Sequence, residues 1–251
     1  MKPEAAKIDR RNFDAAIFDL DGVLTDTARL HAAAWKAVFD DLLRKRAERE
    51  GVIFTPFDET ADYLAYVDGR TRADGVRTFL AARGIVLPEG SEDEPFKLPS
   101  VRAVGERKAL LFLGKLQQRI EPFPGAEALL EKLRQMGIRI GVASASKNCA
   151  AILRAARLDR LVDTRTDGVD AEQFGFMGKP DPALFLEAAR RLNVGPARTV
   201  IFEDALAGVE AGRRGGFGCV VGIDRNRQAE ALRQRGADKV IQSLLQVEVV
   251  G

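Results

Sequence analysis

The feature that most constrains this chain is a rhythm of short apolar runs separated by helical patterns. "AAIFDL" (15–20), "IRIGVAS" (138–144), "TVIFED" (199–204) and "FGCVVGI" (217–223) each read as one strand, and "ADKVI" (237–241) as a weaker fifth. Between them lie "GAEALLEKLRQMG" (125–137), closed by Gly137 as a C-terminal cap, "KNCAAILRAARL" (147–158), "DPALFLEAARRLN" (181–193) and "ALAGVEAGRRGG" (205–216), all of helical character. Strand and helix in alternation predict an α/β fold, a Rossmann-like doubly wound parallel sheet.

Residues 28–118 break the rhythm. "ARLHAAAWKAVFDDLLRKRAERE" (28–50), "TRADGVRTFLAARG" (71–84) and "RKALLFLGKLQQR" (107–119) are helical patterns with no convincing strand among them, and "LPEGSEDEPFKLPS" (87–100) reads as an acidic, proline-rich loop. An all-helical segment inserted after the first strand suggests a cap domain at 28–118, with the sheet core formed by 1–27 and 119–251. Open parallel sheets bind ligands outside the carboxyl ends of their strands, which is where such a cap would lie.

The strand ends carry the chemistry. The first ends in Asp19 and Asp21, the second in Ser144, the third in Glu203 and Asp204, and Lys179 stands in the loop "GKPDP" before the third. Parallel strands share one edge, so these groups are expected together. Carboxylates that close raise one another's pKa, and burial adds to the cost. A hard divalent cation such as Mg2+ takes oxygen ligands and would offset that cost. Such a site suits phosphoryl transfer, where positioning and charge neutralisation supply most of the catalysis. Taken singly, "DG" at 21–22 is an ordinary turn and "ED" at 203–204 an ordinary helix cap; it is the conjunction that carries meaning.

Composition narrows the remaining classes. The 39 basic residues nearly balance the 37 acidic ones, a net charge of +2 that argues against a nucleic-acid binder. No run approaches a membrane span, and "MKPEAAKIDRRNFD" lacks the apolar core of a signal peptide. Cys149 and Cys219 have no C-x-x-C context and read as buried free thiols, while a single histidine, His31, excludes a multi-histidine zinc site. A monomer in a reducing cytoplasm is expected, with neither membrane nor nucleic acid as partner.

In order and spacing, "DLDGVLTDT", "ASAS", "GKPDP" and "FEDALAG" resemble the four motifs of the haloacid dehalogenase-like superfamily of phosphotransferases. The resemblance implies that Asp19 is the nucleophile that becomes phosphoaspartate. Asp21 would be the general acid/base, with its backbone carbonyl facing the metal. Glu203 and Asp204 would complete a site for one Mg2+, and Ser144 and Lys179 would hold the phosphoryl oxygens and balance charge on Asp19.

Within the superfamily the chain is similar to the β-phosphoglucomutases. "DLDGVLTDTARLHAAAWKAV" matches that family's start, including His31 and Trp35 at the cap entrance. "SASKN" (144–148) matches its second motif, "VDGRTR" (67–72) its cap loop with Arg72 at the phosphate-gripping arginine, and "ERK" (106–108) places Lys108 near a substrate-facing lysine. The resemblance thus implies sugar phosphates as substrates, with Ser144, Ala145, Ser146, Lys147 and Asn148 joining His31, Trp35, Arg72 and Lys108 in binding them. The activity implied is interconversion of β-D-glucose 1-phosphate and glucose 6-phosphate, in carbohydrate metabolism; a sugar-phosphate phosphatase with water as acceptor is the alternative. Each substrate residue also has a plainer reading: Trp35 as packing, His31 as surface, Lys147 and Asn148 as the start of a solvated helix, Arg72 as one surface charge among several. Two departures stand out: Ala205 where the family often has serine, and a cap lengthened by 87–100.

Overall fold

The computed structural model describes residues 5–91, 99–115 and 120–251. Its contacts divide the chain into two compact units, Met1–Asp26 with Arg119–Gly251, and Thr27–Gln118.

In the first unit β1 (Ala6–Asp9) precedes β2 (Ala15–Phe18), whose four residues are all fully buried. After the helical unit, α4 (Ala126–Gln135) leads to β3 (Arg139–Ala143), α5 (Cys149–Ala155), β4 (Thr164–Thr166), α6 (Gly168–Phe174) and α7 (Ala183–Arg191). Then follow β5 (Thr199–Glu203), α8 (Leu206–Arg214), β6 (Cys219–Ile223), α9 (Ala229–Arg235), β7 (Lys239–Ile241) and β8 (Val247–Val250). Six of these strands form one parallel sheet in the order β4-β3-β2-β5-β6-β7. Helices flank it. Ile17 and Ile201 pack with Leu184, Phe185 and Ala188 of α7 and Val209 of α8, while α4 contacts β3 and hides Leu129, Leu130 and Leu133. Each large side chain so buried contributes roughly 1.5–3 kcal/mol relative to exposure.

The winding reverses between β2 and β5. From β2 the chain builds β3 and β4 to one side, and from β5 it builds β6 and β7 to the other. Doubly wound sheets open a crevice at such a reversal, outside the strand ends. Register aligns the two central strands: Phe18 pairs with Phe202, and their rings stack with centroids 4.5 Å apart. The residues that follow, Asp19 and Glu203, therefore emerge side by side.

The helical unit holds α1 (Ala28–Glu50), a π-helical turn at Tyr63–Val67, α2 (Arg72–Ala82) and α3 (Val101–Lys115), with no strand among its described residues. Gly51, in the left-handed region, ends α1 by donating its N–H to the Ala47 carbonyl. Trp35 and Phe39 of α1, Phe57, and Val76, Phe79 and Leu80 of α2 form its core, with the Phe39 and Phe79 rings 4.2 Å apart.

Several elements depart from expectation. β1, β4 and β8, and helices α6 and α9, lie where no element is predicted. β1 and β8 pair in parallel, Ala6 with Val247, in a separate two-stranded sheet of the chain's two ends. "AKID" is too polar to signal a strand until that partner is supplied, and "TRT" of β4 is a three-residue edge. The helix expected over 147–158 spans Cys149–Ala155 only. The one expected over 107–119 begins at Val101, where Ser100 Oγ accepts the Ala103 N–H; its predicted end at 116–119, and 92–98 of the expected loop, lie outside the described residues. Cys149 is buried as expected but Cys219 is only half-buried.

Candidate active site

β2 and β5 are apolar up to the residue where each leaves the sheet, and there both turn acidic. The Asp19 N–H still donates to the Phe202 carbonyl (2.9 Å), so its backbone is held as part of the sheet while its side chain begins the site. Lys179, from the loop before α7, reaches both carboxylates: Nζ donates to Asp19 Oδ1 at 2.5 Å and to Glu203 Oε2 at 2.7 Å. Glu203 Oε1 accepts the Ala205 N–H at 3.1 Å. The Lys179 and Glu203 side chains are essentially without solvent access, and that of Asp19 is buried but for a small edge.

Two carboxylates and one ammonium leave this cluster short of positive charge. Burial pushes Glu203 up to about 8 and also raises Asp19, in each case against the pull of Lys179. Burial opposes the ammonium too, but Asp19 and Glu203 outweigh it and hold Lys179 above the ordinary lysine range. Asp204 adds a third buried carboxyl, and oxygens of Asp19, Glu203 and Asp204 lie within 4.8 Å of one another. A dry set of hard oxygen donors with excess negative charge fits a divalent cation such as Mg2+. Both oxygens of Glu203 already carry hydrogen bonds, so its main contact is with Lys179.

Close approach of these groups depends on two glycines. A Cβ on Gly22 (φ +90°) would fall inside the Asp204 carboxylate, and one on Gly208 of α8 would fall inside that of Glu203. The turn that holds Gly22 is self-bonded: the N–H groups of Leu24 and Thr25 both donate to the Leu20 carbonyl, and that of Gly22 to Thr25. On this turn Asp21 is half-buried, with Oδ2 3.4 Å from Ser144 Oγ. Ser144 leaves β3 fully buried, and its Oγ accepts the Ser146 N–H at 3.1 Å. Asp19, Asp21, Ser144, Lys179, Glu203 and Asp204 are thus gathered at one edge of the sheet.

The segment after Ser144 is held by contacts that local sequence does not advertise. Ser146 Oγ accepts the Asn148 N–H (3.2 Å), and Lys147 pairs with Glu172 of α6 at 2.7 Å. Gly168 packs so closely that a Cβ there would lie 2.7 Å from the Ala145 carbonyl oxygen. Lys147, expected in a solvated helix or at a phosphate, has an acidic neighbour from an unpredicted helix.

In the helical unit, Arg72 is the first residue of α2, capped by Thr71, whose Oγ1 accepts the Asp74 N–H. Its stem lies against α3, where a Cβ on Gly105 would come within 2.9 Å of Arg72 Cδ. His31 and Lys108 are buried and hydrogen-bonded through His31 Nδ1 and Lys108 Nζ. The ammonium sits 5.0 Å from the centroids of both Trp35 and Phe112, and His31 stacks on Phe112. Trp35, 3 % exposed, is part of the aromatic core, so packing is its principal contact. No helix among the described residues is long and apolar enough to cross a membrane.

The chain is similar to known proteins over most of its length. The family described as haloacid dehalogenase-like hydrolase matches residues 13–216. A β-phosphoglucomutase of Mycobacterium tuberculosis is 47% identical over 237 residues, 93% of this chain and 90% of its own length. A phosphorylated-carbohydrate phosphatase of Thermotoga maritima is 30% identical, over 89% of this chain and 92% of its own. The crystal structure of a β-phosphoglucomutase from Clostridium difficile superposes with a TM-score of 0.75 at 28% identity, covering 94% of this chain and 93% of that one.

Proposed function

Since this chain belongs to the β-phosphoglucomutase family of haloacid dehalogenase-like hydrolases, we propose that it interconverts β-D-glucose 1-phosphate and glucose 6-phosphate through glucose 1,6-bisphosphate and a phosphoaspartate at Asp19. The observation that carries the chemistry is the buried Asp19–Lys179–Glu203 network, with Asp21 on the adjoining turn. Support for a mutase comes from the 47% identity to a β-phosphoglucomutase, against 30% to a phosphatase.

Asp19 attacks phosphorus of the bisphosphate while Asp21 gives its proton to the departing sugar oxygen. In the reverse half-reaction a sugar hydroxyl passes its proton to Asp21 and takes the phosphoryl group from Asp19. Lys179 offsets charge on Asp19, and Glu203 holds Lys179 in place. Ser144 offers its hydroxyl to a phosphoryl oxygen. Asp19, the Asp21 carbonyl and Asp204, with Glu203 behind them, would hold one Mg2+, which when bound neutralises charge on the transferring group. We assign substrate binding to Arg72, whose guanidinium suits bidentate contact with a phosphate, and, in the other unit, to Ser146, Lys147 and Asn148; Ala145 contributes backbone only. Lys108 and His31 supply polar contacts to the sugar, and Trp35 seats Lys108.

The test is an assay with β-glucose 1-phosphate, Mg2+ and a trace of glucose 1,6-bisphosphate. Glucose 6-phosphate without free phosphate is expected, and stoichiometric free phosphate sinks the mutase in favour of the phosphatase. Turnover that survives Asp19→Asn would refute the phosphoaspartate.

A further inference from the structure

We propose that Arg225, in the loop after β6, is a positioning residue for phosphoryl transfer: it holds the turn that carries Asp21. The inference rests on the phosphoryl-transfer reading above, and it adds a residue that none of the four motifs contains.

Four observations converge on this side chain. Its Nε donates to the Gly22 carbonyl at 2.8 Å, one residue beyond Asp21. Its Nη1 donates to the Gln242 carbonyl at 3.1 Å, which ties the turn to the segment after β7. The guanidinium carbon stands 3.8 Å from the centroid of the Phe123 ring, and Phe123 itself donates its N–H to the Leu24 carbonyl of the same turn. Finally, burial lowers the pKa of the guanidinium, and the carboxylates of Asp204 and Asp26 offset part of that.

The turn needs such an anchor. Its internal hydrogen bonds converge on the carbonyls of Leu20 and Thr25, whereas that of Gly22 accepts from Arg225. Gly22 is also where the Asp204 carboxylate packs against the backbone. Rotation of the Gly22–Val23 peptide would therefore disturb the close approach of Asp204 and loosen the turn that carries Asp21. A planar guanidinium, stacked on Phe123 and bonded along two directions, resists that rotation; a single point charge does not.

The experiment compares wild type with Arg225→Gln, Arg225→Ala and Arg225→Lys, reading kcat, KM and melting temperature. Wild-type turnover that Asp19→Asn abolishes establishes the underlying reading independently, whichever acceptor is used. With that in hand, Arg225→Gln and Arg225→Ala are expected to lose kcat by about 10- to 100-fold, the scale of a hydrogen bond from a charged donor, with KM changed less than about threefold. Arg225→Lys should recover part of kcat, since an ammonium can bond Gly22 but cannot bridge to Gln242. If the truncated variants fail to fold, the lysine variant decides: a lowered kcat at unchanged KM supports the proposal. Unchanged kcat in any folded variant, or a loss confined to melting temperature, overturns it while leaving the Asp19 chemistry standing.

Discussion

Replacing Lys179 by methionine removes the one ammonium between two buried carboxylates and keeps most of the side-chain volume. Asp19 and Glu203 are then left facing each other, with side chains 8% and 1% exposed. Breaking a buried pair by deleting one partner costs about 3–5 kcal/mol, a large share of the roughly 5–15 kcal/mol that holds a domain folded. For a protein of this size that corresponds to a melting temperature lower by roughly 6–20 °C. Because burial raises both carboxyls and Lys179 is what pulls them back down, they titrate higher still without it; protonation relieves part of the cost, and the loss should grow towards alkaline pH. Urea unfolding followed by circular dichroism, in chelator and across pH 6–9, measures it. Removing the second charge as well, in Lys179→Met with Glu203→Gln, should return part of the stability, although not the activity. A single-variant loss below about 1 kcal/mol, the scale of an exposed ion pair, would mean that water reaches the ammonium and that the network described here does not exist in solution.

Gly208→Ala tests the same cluster from behind. Alanine normally stabilises a helix by about 1 kcal/mol over glycine, but here its methyl would strike the Glu203 carboxylate, so a lower melting temperature is expected; a gain would contradict the packing. Gly105→Ala on α3 should displace the Arg72 stem and raise KM for the sugar phosphate, and unchanged KM would remove Arg72 from substrate binding. Glu172→Gln frees Lys147 from its partner and should tighten bisphosphate binding by up to about fivefold at low salt, an exposed pair being worth about 0.2–1 kcal/mol; weaker binding in titration calorimetry would contradict it. Glu203 also predicts a pH dependence for the cation-free protein. Its pKa rises on folding from 4.5 to about 8, so its contribution to stability is complete below 4.5 and is lost as pH rises towards 8. Thermal melts in chelator should show that decline and Glu203→Gln should lack it, whereas saturating Mg2+ should raise the melting temperature most at the alkaline end.

The central strands and the chemistry at their tips could be read locally. "AAIFDL" and "TVIFED" are apolar until they leave the sheet, and a parallel sheet places all such ends on one edge, so the sequence alone groups Asp19, Asp21, Ser144, Glu203 and Asp204. Elements whose signal lies in a distant partner were not legible. β1 is a strand because β8 lies beside it, and β4 because β3 offers an edge. Trp35 shows the limit at a single residue: its spacing from His31 allows both packing and binding, and its place among Phe39 and Phe79 favours packing.

The order of residues along the chain by itself determined the alternation of strand and helix, the acidic pair on the first strand's end and the lysine that could answer it, because these depend on neighbours a few positions apart. Strand order decided the rest. Only with β2 beside β5 do Asp19 and Glu203 come close enough for one ammonium to bridge them, and only with the loop after β6 folded back does Arg225 meet the turn of Asp21. Those contacts join residues far apart in the chain, and what brings them together is the burial of the whole sheet's apolar surface, which no local pattern encodes.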